Sequence, residues 1–142
     1  MSQNAQPIEG ATAAGSTGTR LVILMYDGAI GALNKALAAI EAGDLQTRCE
    51  AVNMAMDIIT QLCLALDFDQ GGQIAVNLSD LYLSMITRLV RTNMLNDPEP
   101  AREVLTMLEP LYNAWRTLDE RLSEQAMAQR LVAEPPALRA VG

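Results

Sequence analysis

Residue types that carry out chemistry are scarce in this sequence, and their scarcity limits what the protein can do. The 142 residues include no histidine. This removes histidine-based acid–base catalysis, histidine phosphotransfer, most zinc sites and the Glu-x-x-His di-iron arrangement of helical bundles. The carboxylates are spread along the chain, and no two of them stand out as an acid–base pair. We therefore expect a protein that is not an enzyme and holds no metal or cofactor.

The two cysteines, Cys49 and Cys63, are the remaining candidates for reactive side chains. They fall on one predicted helix, where their separation corresponds to about 21 Å. That distance is far beyond the reach of a disulfide, and neither thiol has an obvious activating base nearby in the sequence. We interpret both cysteines as small buried hydrophobic residues.

The segment Asp67-Phe-Asp-Gln-Gly-Gly72 resembles the start of a calcium-binding loop. Such a loop needs a third carboxylate or amide at position five and a glutamate at position twelve. Here those positions are Gly71 and Leu78, so two essential ligands are missing. The segment is better explained as the end of one helix and a turn into the next.

Composition and charge exclude two further classes of function. The net charge is −7, and an acidic domain lacks the basic patch that nucleic-acid phosphates require. The longest apolar run covers residues 21–26, far short of the roughly 20 residues of a membrane span. The N-terminus also lacks the basic start and apolar segment of a signal peptide. We expect a soluble, cytoplasmic single domain that does not insert into membranes.

The elements that position the remaining side chains are four amphipathic helices, predicted over residues 19–42, 45–66, 73–95 and 98–130. Gly43 is predicted to cap the first helix, and Asp44 and Asp97 to begin the second and fourth. Pro110 should bend the fourth helix. Short turns between helices of similar length predict an all-α, antiparallel up-down-up-down four-helix bundle over residues 19–132. A flexible leader (1–18) and a disordered tail (133–142) flank it.

The predicted core is formed by apolar residues that recur every three or four positions on each helix. On the first helix these are Ile23, Tyr26, Ile30, Leu33, Leu37 and Ile40; on the second Leu45, Cys49, Val52, Met56, Ile59, Cys63 and Leu66; on the third Ile74, Leu78, Leu81, Met85 and Leu89; on the fourth Val104, Leu108, Leu111, Trp115, Leu118 and Leu122.

Apolar residues also occur outside these core stripes, and this surplus is the main indication of function. Leu62, Leu105 and Tyr112 belong to it, as do the residues predicted to bind a partner. The latter are Leu21, Leu24, Gly28, Gly31, Met54, Ile58, Val76, Leu83, Val90, Met94 and Met107. The two glycines are expected to form a shallow groove. A compact bundle could bury some of these residues at its flanks, but contiguous exposed apolar patches usually mark partner sites. An apolar peptide in such grooves is the natural partner.

Three stretches, taken together, resemble the flagellar export chaperone family FliS. They are Leu24-Met-Tyr-Asp-Gly-Ala-Ile30, the segment from Leu66 to Leu78 with Leu81-Tyr82, and residues 93–98 with Trp115 downstream. The sequence departs from the family in its helix start at residues 16–19, in a leader without an aromatic residue, and at Pro110.

The resemblance implies a four-helix bundle that binds the C-terminal segment of flagellin in the cytoplasm. Such a protein prevents premature polymerisation of flagellin and helps to deliver it to the export gate, whose components are further expected partners. The flagellin segment would lie in the apolar surface grooves. The alternative is a structural or regulatory bundle whose outer apolar stripes mediate self-association, for example as a homodimer.

Overall fold

The computed structural model describes residues 16–133, and within this range the chain forms four helices and no strand. They are α1 (Ser16–Ala42), α2 (Leu45–Leu64), α3 (Phe68–Leu95) and α4 (Pro98–Ala133). α1 packs against α2 and α4, and α3 packs against the same two helices. The predicted antiparallel four-helix bundle is confirmed.

The turns between the helices follow the predicted capping chemistry. Gly43 ends α1 with a φ of 72°, a conformation that glycine adopts at little cost. The Asp44 carboxylate accepts a hydrogen bond of 3.0 Å from the backbone N–H of Thr47. At the α3–α4 turn, Asp97 accepts one of 3.0 Å from the backbone N–H of Glu99. These caps satisfy backbone groups that lack a partner within the helix.

The start of α3 differs from the prediction, which placed it at Gln73. A helical turn already begins at Phe68, and the Asp67 side chain caps it by accepting a hydrogen bond from the Gln70 N–H. Gly72, with φ of 50° and ψ of −125°, then kinks the chain before the long part of the helix. The predicted turn chemistry is therefore present, but it forms a short helical turn instead of a loop.

The outer bounds of α1 and α4 also extend past the predicted ones. α1 begins at Ser16 instead of Thr19, and α4 continues through Pro110 to Ala133. The first fifteen residues of the predicted leader, and the tail from residue 134, lie outside the described residues. The division into leader, bundle and tail stays a prediction.

The core is rotated slightly from the predicted stripes because alanines occupy the closest helix contacts. Val22, Ala29 and Ala36 are buried on α1, whereas Ile23 and the predicted core isoleucine at position 30 are only half-buried. Alanine lets two helix backbones approach closely, so the larger neighbours move to the flanks. The helices of this bundle therefore meet through small residues as well as large ones.

Three further core assignments were wrong. Leu62, predicted to lie off the core, is 3% exposed. Leu45 and Ile74, both predicted as core residues, are exposed. Leu45 is the first residue of α2, and Ile74 lies just after the kink at Gly72, so neither has a full set of neighbouring helices around it.

A buried hydrogen bond crosses the bundle between α1 and α3, which lie diagonally opposite each other. The Tyr26 and Tyr82 hydroxyls are 2.6 Å apart. Burial raises the pKa of Tyr26 well above its ordinary value, and it raises the pKa of Tyr82 to about 12. Both hydroxyls therefore stay neutral, and one donates a hydrogen bond to the other in a region that water does not reach.

Candidate partner-binding surfaces

The structure leaves most of the predicted partner-binding residues accessible. Eight of the eleven are exposed and three are half-buried. The exposed residues are Leu21, Leu24, Gly31, Met54, Val76, Leu83, Val90 and Met94, and the half-buried ones are Gly28, Ile58 and Met107. They form two surfaces of four residues each, one contact between Gly28 and Ile58, and one isolated residue.

The first surface follows the seam between α1 and α2. Leu21, Leu24, Gly28 and Gly31 are spaced by three and four residues, so they share one side of α1. Gly28 lies against Ile58 of α2, and Met54 lies one turn from Ile58. Leu24 is 64% exposed. We call Leu21, Leu24, Gly31 and Met54 the first surface.

The two glycines of this seam do different things, although both were expected to line an open groove. A Cβ atom added to Gly28 would lie 3.2 Å from Ile58 Cδ1, whereas one added to Gly31 would meet nothing within 4 Å. Gly28 therefore lets α1 and α2 approach closely. Gly31 alone matches the expected open groove.

The second surface is the outer side of α3, formed by Val76, Leu83, Val90 and Met94. Intervals of seven and four residues align them on one side of the helix, away from the buried residues of α3 such as Met85. Met94 is 76% exposed. This stripe runs along almost the whole helix after the kink.

Polar contacts run along the α2–α3 seam. Asn93 Nδ2 donates to Asn53 Oδ1 over 3.2 Å, and Cys63 Sγ lies 3.8 Å from Ser79 Oγ. Both cysteines are half-buried and free. These contacts hold α2 against α3, the two helices that carry Met54 and the second surface.

Met107 belongs to neither surface. It lies one turn after Glu103, whose carboxylate forms a 3.0 Å ion pair with Arg88 of α3. Met107 is half-buried and packs against the core. The structure therefore places it at the α3–α4 seam, apart from the other predicted residues.

Sequence reasoning missed several exposed apolar residues near helix ends. They are Leu45, Leu64, Phe68, Leu95, Met127, Leu131 and Val132. A periodic pattern does not show whether a position on one helix has another helix beside it or lies past the end of that helix. Only Phe68 had a usable signal, because an aromatic residue within a turn segment is hard to bury.

The seam between α1 and α4 differs from the first surface because it carries several polar and charged side chains. Asp27 lies beside Tyr112 of α4, and a hydrogen bond from the tyrosine hydroxyl to this carboxylate raises the pKa of Tyr112. The Arg116 guanidinium lies 5.7 Å from the centre of the Tyr112 ring, within the range of a cation–π contact. Asp27, which the sequence left unexplained, thus faces α4.

Residues 18–42 of α1 are long and apolar enough to cross a membrane by length and composition. The core helix of a soluble bundle passes the same test, and a third of that window is buried inside the bundle. Tyr26, Ala29 and Leu33 of this helix have no exposed surface. The apolar character of α1 is therefore accounted for in part by the core.

Within residues 16–133, no group of histidine, cysteine and acidic side chains could hold a metal ion.

Comparison with known proteins adds an independent observation. The family model described as "Flagellar protein FliS" matches residues 1–122. The chain belongs to the FliS family. Membership supports a role as a chaperone in flagellar export. The match ends at residue 122, although α4 continues to Ala133.

Several curated FliS proteins are similar to this chain. The flagellar secretion chaperone FliS of Salmonella typhimurium is 38% identical over 107 residues, which cover 75% of this chain and 79% of that protein. FliSB of Pseudomonas aeruginosa is 35% identical over 96 residues, covering 68% and 76%. FliS of Vibrio cholerae is 32% identical over 96 residues, covering 68% and 71%.

Proposed function

We propose that this FliS protein is a cytoplasmic export chaperone that binds the C-terminal segment of flagellin. Binding would keep flagellin from polymerising prematurely and would support its delivery to components of the export gate. The observation that carries the proposal is the exposure of aligned apolar side chains on α1 and α3 of a bundle whose core is already filled.

The core does not need these side chains. Large residues such as Trp115, Leu33 and Met85 are fully buried and occupy the space between the helices. Leu24 and Leu83, in contrast, remain 64% and 54% exposed. Contiguous exposed apolar residues on a soluble domain usually mark a partner site. An amphipathic helix laid against such a groove buries its own apolar face at the same time.

The energetics favour a segment that orders on binding. Burial of one such half-exposed side chain contributes about 1 kcal/mol. Seven large apolar residues on the two surfaces would contribute about 7 kcal/mol, which exceeds the roughly 2–5 kcal/mol of a typical ordering cost. They are Leu21, Leu24, Met54, Val76, Leu83, Val90 and Met94. Either surface alone would contribute about 3–4 kcal/mol, which only offsets this ordering cost, so the proposal requires one segment to cover both surfaces.

The test compares charged substitutions at three exposed leucines. Leu24→Glu on the first surface and Leu83→Glu on the second should each weaken binding of a flagellin C-terminal peptide at least about tenfold, because a carboxylate would be desolvated in an apolar contact. Leu131→Glu is the matched control. Leu131 is 63% exposed, close to Leu24, but lies beyond the residues that the family model matches.

Isothermal titration calorimetry measures the affinities, and circular dichroism verifies that each variant is folded. Leu131→Glu should bind the peptide within about twofold of the parent protein. Equal affinity of all three folded variants would refute the assignment of the surfaces. If light scattering shows a homodimer that does not bind flagellin, and Leu24→Glu dissociates it, the self-association alternative replaces the proposal.

A further inference from the structure

The seam between α1 and α4 contains two neighbouring concavities that the proposed flagellin surfaces do not include. One, of about 400 Å³, is lined by residues such as Ile30, Asn34, Leu105 and Glu109. The other, of about 390 Å³, is lined by residues such as Ile23, Asp27, Arg116 and Glu120. Tyr112 lines both. We call the two concavities together the α1–α4 groove.

The groove combines an apolar floor with a predominantly acidic rim. Ile23, Ile30 and Leu105 are half-buried and pack against the core, so their outer atoms form the floor. Asp27 on α1 and the glutamates at positions 109 and 120 on α4 line the two sides. Such an arrangement fits an amphipathic partner better than a wholly polar one.

Two arginines lie near the groove, and one of them is engaged in an ion pair. Arg20 Nε lies 3.3 Å from Asp119 Oδ1, and its Nη2 donates to Ser123 Oγ over 3.3 Å. Arg116 lines the second concavity and lies over the Tyr112 ring, so the rim holds one arginine against three carboxylates, Asp27, Glu109 and Glu120.

In contrast, Asp27, Glu109 and Glu120 have no ion-pair partner within 4.0 Å among residues 16–133. The carboxylates on both sides of the groove are thus available to a cationic ligand.

The length of the groove limits the ligand. Ile23 and Asn34 lie at its two ends on α1, a separation of about 16 Å along the helix at roughly 1.5 Å per residue. This matches about three turns of a partner helix. Lysine or arginine side chains on both flanks of that helix would reach the unpaired carboxylates.

We propose that the α1–α4 groove binds a short amphipathic helix whose apolar stripe is flanked by lysine or arginine. The partner is a protein segment distinct from the flagellin segment, because the groove lies in the α1–α4 seam, whereas the first surface borders the α1–α2 seam. Both segments can therefore bind the same bundle at once.

The probe is a fluorescent, end-capped helical peptide of about 15 residues, with leucine on one face, lysine on the flanks and alanine or glutamine elsewhere. A second peptide carries glutamate in place of each lysine. Fluorescence anisotropy with the full chain should show binding of the lysine peptide and at least about tenfold weaker binding of the glutamate peptide.

Two charge-matched double variants locate the site. Glu109→Gln with Glu120→Gln should weaken binding of the lysine peptide about three- to tenfold. Glu41→Gln with Glu50→Gln removes the same charge from exposed positions on α1 and α2, and should change binding less than twofold. Asn34→Arg should abolish binding by placing bulk and positive charge in the groove. All variants should bind the flagellin peptide normally.

Three results would overturn this proposal. Equal weakening by the two double variants would mean attraction to the overall negative charge, with no defined site. Equal binding of the lysine and glutamate peptides would remove the role of the acidic rim. A dimer in light scattering that Asn34→Arg dissociates would mean that the groove is covered by a second copy of this chain. Because the flagellin peptide is measured in parallel, none of these outcomes depends on the proposed chaperone function.

Discussion

Asp27 and Gly28 are consecutive in the sequence but face different helices, and the two seams they enter have opposite chemistry. Gly28 lies against Ile58 in the α1–α2 seam, which is bordered by the exposed Leu21 and Leu24. Asp27 faces Tyr112 in the α1–α4 seam, whose rim carries several carboxylates. One helix thus separates an apolar surface from an acidic groove.

The difference shows how a small bundle can offer two kinds of binding site. The residue before this pair, Tyr26, points into the core and forms the diagonal hydrogen bond to Tyr82. The three consecutive residues therefore contact the core, α4 and α2 in turn, because each step along a helix rotates the side chain by about 100°. Three experiments test these three contacts separately.

The largest effect on stability is expected at alkaline pH, from the buried contact between Tyr26 and Tyr82. The folded-state pKa of Tyr82 is about 12 against an ordinary value of 10.0, so its neutral form is favoured by folding. The stability from this shift is fully present below pH 10 and is lost as the pH rises to 12. The shift of Tyr82 should lower the free energy of unfolding by about 2 kcal/mol over this range, and the raised pKa of Tyr26 adds to this fall. Urea unfolding at several pH values measures it.

The control for this measurement is Tyr82→Phe. The variant should be less stable at neutral pH, because the Tyr26 hydroxyl loses its partner, but its stability should depend less steeply on pH above 10. Tyr26 still titrates in the variant, so the slope is reduced but does not vanish. Parallel pH profiles for the two proteins would show that the buried hydroxyl of Tyr82 does not contribute the pH dependence.

The second effect is on stability at the contact between α1 and α2, and it is tested by comparing Gly28 with Gly31. Gly28→Val should lower the free energy of unfolding by about 1–2 kcal/mol, because a branched side chain must displace Ile58. Gly31→Val should change it by less than about 0.5 kcal/mol, since open space surrounds that position. Urea unfolding of both variants measures the difference. Equal effects of the two substitutions would show that the close approach of α1 to α2 at Gly28 does not contribute to stability.

The smallest effect is expected at the contact between Asp27 of α1 and Tyr112 of α4. Asp27→Asn removes the charge that helps to keep the Tyr112 hydroxyl protonated, so the pKa of Tyr112 should fall toward its ordinary value. Ultraviolet absorbance of tyrosinate during a pH titration measures this shift, and the Tyr112→Phe variant identifies the signal. An unchanged titration curve would mean that Asp27 and Tyr112 do not interact in solution.

Much of the fold could be predicted from local chemistry. Asp44, Gly43 and Asp97 cap or end helices as expected, because capping depends on a few adjacent residues. The exposure of Leu24, Leu83 and Met94 also agrees with the sequence prediction. These side chains lie opposite a clear core stripe, and helix geometry alone puts them outside.

Other positions could not be assigned in this way. Leu62 is buried, against the prediction, because the core faces the places where neighbouring helices come closest. Leu45 is exposed, also against the prediction, because it is the first residue of α2. Met107 was grouped with residues that lie on different helix seams. The acidic groove was missed entirely, since its two sides come from residues about 80 positions apart, such as Asp27 and Glu109.

The sequence by itself determined the four helices, their caps, their antiparallel order and the surplus of apolar side chains, because each of these depends on residues within a few turns of one another. Only the tertiary structure decided the rotation of each helix about its axis. That rotation depends on close contacts between distant residues, such as Gly28 with Ile58 and Tyr26 with Tyr82. It therefore sets which residues form the core, which form the apolar surfaces and which form the acidic groove.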